Sequence, residues 1–391
     1  MREISDLERR ARLSIRHHLA FPAPDVTAAA GAVLGLHSSD PATVYLSALA
    51  RVPGITSEDV ETALYEKKTL LRILAMRRTM FVIPTELAPI LHHSSAVALQ
   101  AGERKRTVDM VAKEGIAIDA GTWVDDVAQR TLDALRLRGE AVATDLTRDV
   151  PELGHKITFY KADGSVLTTV GLTTRILFLL AIQGRIIRGR PKGSWVSSLY
   201  RWAPMEDWIG GPLPVIDRDA AQSDLLGKWL SRFGPATELD MKWWTGWPVT
   251  QVRKALATLS AVQVQVATGP AYVMPDDLAE VEPMEGTVRF LPSLDPTTMG
   301  WKEREWYLGA HYPRLFDRNG NAGPTIWAAG RVVGGWAQRP DGAIVWELLE
   351  DVGQEAKSGI EREAAVLREW LDDRVVIPRF RSPSDKELAG N

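Results

Sequence analysis

Hydrophobic residues recur at helical spacing over most of the chain before residue 288. In the segment 4–20 an apolar residue falls at every third or fourth position, with a polar face between them. This spacing is typical of an amphipathic helix. Asp25 is placed to cap a second helix, and Asp40 followed by Pro41 predicts the first turn of a third, since aspartate favours the N-cap and proline the first helical position.

A fourth helix and a strand complete this first group of elements. Ser57 can act as an N-cap, and residues 77–83 are rich in β-branched and aromatic side chains, which favour a strand. Three short helices followed by strands are the outline of a helix-turn-helix with a wing.

The same outline recurs twice further along the chain. The second copy has predicted helices over 122–137, 144–148 and 172–182, followed by a strand, a glycine-rich turn and a strand over 185–196. The third copy has predicted helices over 225–233, 236–244 and 248–259, and strands over 262–266 and 271–274. Recurrence of one unit in this order favours duplication over a single large fold.

The sequence pattern changes at residue 288, where short strand-like segments alternate with turn residues. Strands are predicted over 288–291, 325–327, 331–338, 343–348 and 375–379, a helix over 360–370, and a frayed end after Ser382. The predicted fold class is therefore α+β, with tandem winged-helix repeats followed by a small C-terminal β-barrel or sandwich. The corresponding domains are 1–110, 111–215, 216–285 and 286–391.

Composition narrows the function classes. The chain has 391 residues, of which 45% are hydrophobic and 25% charged, as expected for a globular protein of several domains. A charged N-terminus and the lack of a long apolar run predict a cytoplasmic protein without a membrane span. Cysteine is absent, the seven histidines show no metal-binding spacing, and no phosphate-binding glycine motif occurs. We therefore expect no metal and no nucleotide cofactor.

The charge is unevenly distributed. Its formal net value is −3, which is unusual for a protein that binds phosphate, but local clusters matter more than the average. Residues 164–204 contain no Asp or Glu and hold Arg175, Arg185, Arg188, Arg190, Lys192 and Arg201. A second basic segment holds Lys67, Lys68, Arg72, Arg77 and Arg78. This segregation indicates a nucleic-acid partner.

Several segments resemble one family over nearly the whole chain. Residues 35–46 (GLHSSDPATVYL), 74–84 (LAMRRTMFVIP) and 291–301 (LPSLDPTTMGW) are similar to bacterial winged-helix proteins related to the AlkZ-type DNA glycosylases. The resemblance implies three tandem winged helices and a C-terminal β-barrel that bind duplex DNA as a monomer, with a role in DNA repair.

The resemblance also points to a candidate active site. Characterised members carry two glutamines, separated by one residue, just before the helix that Asp40 opens here, and the matching positions are His37 and Ser39. Cleavage of an N-glycosidic bond passes through an oxocarbenium-like state. His37 would act as base or hydrogen-bond donor, Ser39 would hold water, and Asp40 would supply negative charge. The structural alternative is that Ser39 or Asp40 caps the helix and His37 packs beneath the wing.

DNA contacts are predicted at cations in loops and wings. Arg77 and Arg78 would meet phosphate, or alternatively one of them would pair with Glu61 or Glu66. The remaining candidates are Arg185, Arg188, Arg190 and Lys192 in the acid-free region, and Lys302, Arg304, Arg318 and Asn319 in polar C-terminal loops. Three tryptophans, Trp243, Trp244 and Trp247, are expected to pack in a core. Asp295 and Asp317 are expected to order loops, and His17-His18 and His92-His93 to lie on helix surfaces.

Three hypotheses from different classes remain open. The first is a DNA glycosylase acting on alkylated or bulky adducted bases, which would release free base. The second is a non-catalytic DNA-binding protein, either a regulator or a damage-recognition factor, which would bind duplex without excision. The third is a fold reused for a small ligand or a protein partner, which would not bind DNA even at low salt.

Overall fold

The computed structural model describes residues 1–161, 163–283 and 287–390. The chain divides into two compact units. The first comprises Met1–Leu70, Thr79–Thr85 and Gln222–Asn391, and the second comprises Leu71–Arg78 and Glu86–Ala221.

The first group of elements is short and helical. It contains α1 (Asp6–Arg16), α2 (Val26–Ala32), β1 (Leu36–His37), α3 (Pro41–Leu49), α4 (Ser57–Glu61) with a π-helical continuation over Thr62–Glu66, β2 (Leu70–Leu74) and β3 (Met80–Pro84). Asp25 and Asp40 are the N-caps of α2 and α3, as predicted. The cap of α4 is Thr56 rather than Ser57, because Thr56 and Asp59 form a reciprocal capping box.

The turn into β1 requires a glycine. Gly35 has a φ of 120°, and a Cβ there would lie 2.8 Å from Cγ2 of Ile83. Strand β1 then pairs antiparallel with β3, with Leu36 opposite Val82 and His37 opposite Phe81. The strand predicted over 77–83 begins only at Met80, since Arg77 and Arg78 adopt left-handed φ values of 52° and 61° in a 3-10 turn.

The second group of elements lies within the second unit and is longer than the first. It contains α5 (Ala88–Leu91), a π-helical turn (His92–Ala96), α6 (Val97–Lys113), α7 (Ala120–Arg138), α8 (Ala143–Asp149), β4 (Lys156–Tyr160), β5 (Val166–Gly171), α9 (Leu172–Ile182), β6 (Ile186–Pro191), β7 (Tyr200–Pro204) and α10 (Met205–Ile209). Helix α9 has the predicted bounds and buries six residues, because it is apolar on most of its surface. The second wing strand begins at Tyr200, whereas it was predicted near Trp195, which is buried in the intervening loop.

The third group has the same order again. It contains α11 (Arg218–Phe233), α12 (Glu238–Thr245), α13 (Val249–Thr258), β8 (Val262–Val266) and β9 (Gly269–Val273). The three groups share one order, which starts at α2, α7 and α11: helix, short strand or bridge, helix, helix, strand and strand, with the β4–β5 hairpin added before α9 in the second group. In each case a residue between the first two of these helices pairs with the last strand: His37 with Phe81, Ala141 with Trp202, and Ala236 with Tyr272.

The C-terminal part is an open sheet covered by helices. It contains β10 (Val288–Leu291), α14 (Glu305–Leu308), α15 (Tyr312–Leu315), β11 (Thr325–Ala328), β12 (Arg331–Gln338), β13 (Ile344–Leu348), α16 (Gly353–Leu371) and α17 (Pro383–Leu388). The strands lie in the order β10-β11-β12-β13, all antiparallel. Because α16 packs on β10 and β13, and α17 on β12 and β13, the sheet buries its side chains without closing. The expected closed barrel is not seen in the part of the chain that the structure describes.

Two predictions at the C-terminus were wrong. Residues 375–379 form no strand, and the segment after Ser382 is not frayed but forms α17, whose Ser384 and Asp385 are buried. Helix α17 fits closely against β12 because Gly335 has no side chain; a Cβ there would lie 2.4 Å from Oγ of Ser384.

A buried ion pair lies at the core of the first unit. Arg51, just after α3, and Asp295 in the loop after β10 are both fully buried, 2.8 Å apart. Asp295 also accepts hydrogen bonds from the Ser47 hydroxyl and the Thr297 backbone N–H, which confirms that it orders its loop. Removing one partner would leave an uncompensated buried charge. No helix in the described ranges is long and apolar enough to span a membrane.

Candidate functional site

The candidate active turn is the segment 37–40 in the first unit, between β1 and α3. His37 ends β1 and is 9% exposed, with its ring edge-on to Phe81 at 5.2 Å. Its Nδ1 accepts a hydrogen bond from the Ser39 backbone N–H at 3.4 Å. In a neutral imidazole the proton then lies on Nε2, so that nitrogen is a donor.

Asp40 is held by backbone groups at both carboxylate oxygens. Oδ1 accepts from Ala42 N at 3.1 Å, and Oδ2 accepts from Arg379 N at 2.8 Å. The side chain is buried, and burial raises the pKa of the Asp40 carboxyl, although these two hydrogen bonds and the Arg379 charge oppose the shift. The structure therefore gives Asp40 the helix-capping role that was the alternative to a catalytic one.

Ser39 and Arg379 provide the polar groups of this turn that remain accessible. Ser39 is half-buried, and its hydroxyl makes no hydrogen bond to any residue that the structure describes. Arg379 is exposed, and its Nη1 donates to the Ser39 carbonyl oxygen at 3.1 Å. Its other guanidinium N–H groups make no hydrogen bond to any described residue, so the turn presents one hydroxyl and one cation together.

Arg379 was missed from the sequence. It was predicted to end a strand, but it lies in an irregular segment directly after Pro378. A small pocket adjoins the turn; its lining includes Asp40, Thr43, Ser293, Trp336, Gln338 and Pro378.

In the second unit, aromatic rings hold two of the arginines from the basic segments. The guanidinium of Arg72 lies 4.5 Å from the centroid of the Tyr200 ring, and that of Arg188 lies 5.2 Å from the same ring and 5.1 Å from Trp202. Such contacts are cation–π interactions. The two basic segments of the sequence therefore meet around Tyr200.

Arg78 is paired, but not with either predicted glutamate. Its Nη2 lies 2.8 Å from Oε1 of Glu103, a residue of α6 that is 2% exposed. Arg106 and Arg175 contact the same carboxylate at 3.0 and 3.2 Å. One buried carboxylate thus gathers three arginines, of which only Arg78 was predicted to bind DNA.

The remaining predicted DNA-binding residues differ in exposure. Arg185 and Arg190 are half-buried, and Arg185 donates to the side-chain oxygen of Gln129. Lys192 in the β6–β7 loop is exposed, as are Lys302, Arg318 and Asn319 in the C-terminal part. Asp317 accepts three hydrogen bonds from Asn319 and Asn321, which confirms that it orders its loop.

Arg304 is a buried residue rather than an exposed one. It is 7% exposed, and its guanidinium lies 5.1 Å from the Trp243 ring and 4.7 Å from the Phe316 ring. We therefore leave it out of the DNA-binding surface proposed below. Trp244 and Trp247 are buried, as predicted, and Trp243 is half-buried.

The histidine pairs do not all lie on surfaces. His17 is fully buried, where its Nδ1 contacts the Thr297 hydroxyl, and burial holds the pKa of His17 well below its ordinary value. His92 is half-buried, and burial lowers its pKa to about 4. Among the residues in the described ranges, no cluster of three or more His, Asp or Glu side chains could hold a metal ion.

Comparison with known proteins decides the family. The sequence matches the family described as DNA glycosylase AlkZ-like over residues 30–370. The chain belongs to this family. The match confirms the resemblance inferred from residues 35–46, 74–84 and 291–301, and extends it over most of the molecule.

A solved structure shows the same fold. The chain is similar to the Streptomyces sahachiroi DNA glycosylase AlkZ, with a TM-score of 0.73 and 19% sequence identity, over 97% of this chain and 100% of that one. A comparison with curated proteins finds no match. The AlkZ-like family assignment and this shared fold confirm the α+β class predicted from the sequence.

Proposed function

We propose that this AlkZ-like protein is a DNA glycosylase that removes alkylated or bulky adducted bases from duplex DNA. The observation that carries the proposal is the turn 37–40. There a buried histidine, a serine hydroxyl with no hydrogen bond to a described residue and an exposed arginine lie together. A family described as DNA glycosylases supplies the reaction class.

We further propose that the three recurring groups are winged helices. Their common order, in which a residue before the second helix pairs with the last strand, is that of a helix-turn-helix followed by a wing. The predicted boundaries 1–110, 111–215 and 216–285 would then each enclose one winged helix. Residues 286–391 would form the C-terminal domain, and the protein would act as a monomer.

The chemistry of the turn assigns a role to each side chain. An alkylated purine already carries positive charge, so its departure needs no strong general acid. The Ser39 hydroxyl would hold the attacking water, which would lose its proton to bulk solvent, and the Nε2–H of His37 would donate a hydrogen bond to the base as it leaves with the electrons of the glycosidic bond. Since both Nδ1 of His37 and the carboxylate of Asp40 accept backbone N–H groups, we assign His37 a donor role and Asp40 a positioning role.

DNA contacts are proposed for cations that the structure leaves exposed. In the second unit these are Lys192 and Arg78; in the C-terminal part they are Lys302 and Arg318, with the polar side chain of Asn319. Arg379 would meet the phosphate that flanks the reacting nucleotide, because its remaining N–H groups lie beside Ser39.

The proposal is tested by a base-release assay. Duplex DNA treated with a methylating agent, and duplex DNA carrying a bulky crosslinker, would be incubated with the protein and examined for free modified base. We expect release from at least one substrate, with an abasic site left in the strand. Release from neither, combined with tight duplex binding, would contradict a glycosylase function.

One observation favours a second candidate, a non-catalytic damage-recognition factor or regulator. Both oxygens of Asp40 are engaged by backbone donors, so the turn lacks a carboxylate directed at the sugar. A protein that binds alkylated duplex more tightly than unmodified duplex, without releasing base, would fit this candidate.

A further inference from the structure

The three arginines around Glu103, namely Arg78, Arg106 and Arg175, carry more charge than their partner can neutralise. Arg78 and Arg106 share Oε1 of Glu103, and Arg175 contacts Oε2. Three cations facing one carboxylate leave two positive charges in excess. Neither Arg106 nor Arg175 is among the residues assigned above from the sequence.

Nearby acids do not supply the missing charge. On the same helix, Asp109 is 2.7 Å from Lys105, and Asp125 of α7 is 2.6 Å from Arg104. Each of these acids already has its own cation. The excess charge therefore belongs to the Glu103 arginines and not to α6 as a whole.

The geometry directs this charge outward. The Glu103 side chain is 2% exposed, whereas those of Arg78 and Arg106 are 41% and 52% exposed. The buried carboxylate fixes one end of each guanidinium, so the other N–H groups are presented to solvent with little freedom left to lose on binding. In addition, Nε of Arg175 is buried and makes no hydrogen bond to any described residue.

The backbone of the turn that carries Arg78 is also unusual. Arg77 and Arg78 both have left-handed φ values, 52° and 61°, which non-glycine residues rarely adopt and never without cost. Strained positions of this kind concentrate at functional sites. In this backbone conformation Arg78 contacts Glu103, as Arg106 and Arg175 do.

We propose that the Glu103 arginine cluster is a phosphate site that takes one backbone phosphate of duplex DNA. Guanidinium forks match the oxygen geometry of a phosphodiester, and Glu103 keeps them spaced while leaving a surplus of positive charge. The inference rests on the proposed function, since it assumes that duplex DNA is the ligand.

The test compares two substitutions on adjacent residues of one helix, each of which replaces a cation by a neutral amide. Arg106→Gln removes a cluster cation, and Lys105→Gln removes an exposed cation that pairs with Asp109 instead. Duplex affinity of the full-length protein is measured by fluorescence anisotropy across a salt titration, and folding of each variant is checked by thermal melting.

We expect Arg106→Gln to weaken duplex binding about fivefold at low salt and to reduce the slope of log K against log[salt] by about 0.9, the value for one lost phosphate contact. The double variant Arg78→Gln/Arg106→Gln should lose more, and Lys105→Gln should match the unaltered protein. Equal effects of Arg106→Gln and Lys105→Gln, or no effect of either, would overturn the inference.

Other outcomes separate the inference from the proposed function. Normal binding by the unaltered protein with an unchanged slope for Arg106→Gln would overturn the phosphate site alone. Absence of any salt-dependent duplex binding by the unaltered protein would overturn both. Inorganic phosphate at constant ionic strength should raise the melting temperature far less than duplex does; an equal rise would assign the cluster to a free anion.

Discussion

The segments that lead into α3 and α12 occupy matching positions in the first and third groups of elements, yet they differ in what their polar groups do. In the first turn of α12, the buried carboxylate of Asp240 accepts four hydrogen bonds, from Thr237 N, Thr237 Oγ1, Lys302 N and Glu303 N. The Thr237 hydroxyl also contacts Glu303 at 2.7 Å. Before α3, Asp40 accepts only two bonds, and the Ser39 hydroxyl accepts none from the described residues.

We propose that this position serves packing in the third group and chemistry in the first. Both segments attach to the C-terminal part through backbone N–H groups, from Arg379 in the first group and from Lys302 and Glu303 in the third. In the third group the side chains of Thr237 and Asp240 bond to each other and to residues 302–303. The first group keeps a hydroxyl and a guanidinium accessible, which is why we place the reaction there.

The largest expected effect is on stability, when the Asp240 carboxylate that accepts four hydrogen bonds is removed. Asp240→Ala would leave four donors without their acceptor in a buried site, and we expect the free energy of unfolding to fall by about 3 kcal/mol. Urea unfolding followed by circular dichroism measures this. The control Asp25→Ala removes an exposed cap and should cost about 1 kcal/mol. Equal losses for the two variants would contradict the view that the turn before α12 is structural.

A smaller effect is expected at Arg379. Arg379→Ala keeps the backbone N–H that binds Asp40 but removes the guanidinium beside Ser39. Base release should slow about tenfold, the equivalent of one charge-assisted hydrogen bond, while the free energy of unfolding changes by less than about 0.5 kcal/mol. Arg368→Ala, at an exposed position of α16, is the matched control. A change in stability without a change in rate would remove Arg379 from the site.

The smallest expected effect is a change with pH in the contribution of Asp40 to the free energy of unfolding. Burial raises the pKa of Asp40 in the folded protein, so the folded state binds this proton more tightly than the unfolded chain, whose aspartates titrate near pH 4. The contribution of Asp40 to stability therefore falls as pH rises from about 4 through the raised pKa. The stability of the unaltered protein relative to Asp40→Asn should shrink from pH 4 to pH 6 in urea unfolding. A stability difference that grows with pH would be inconsistent with a buried Asp40 carboxyl whose pKa is raised.

Local signals were enough to predict much of the fold. Helix α9 and strand β8 have the predicted bounds, and Asp25 and Asp40 are the predicted caps. These features depend on residues within a few positions of one another, such as apolar spacing or an acid before a first turn. The recurring order of three groups followed from the same signals.

Features that join distant parts of the chain could not be predicted in this way. The hydrogen bond from Arg379 to Asp40 spans 339 residues, and the contact of Arg51 with Asp295 spans 244. Helix α17 is polar in sequence, and its close contact with β12 depends on Gly335 having no side chain. Likewise, the contact of Arg78 with Glu103 could not be predicted because Glu103 lies in α6, a helix that was not predicted.

The central claim is that the turn before α3 is catalytic and the turn before α12 is not. It is tested most directly by the rate of base release from alkylated duplex DNA, measured for His37→Ala/Ser39→Ala and for Thr237→Ala at a temperature where circular dichroism shows all proteins folded. The account predicts a loss of about a hundredfold or more for the first variant and a near-normal rate for the second. A normal rate in the double variant would contradict it.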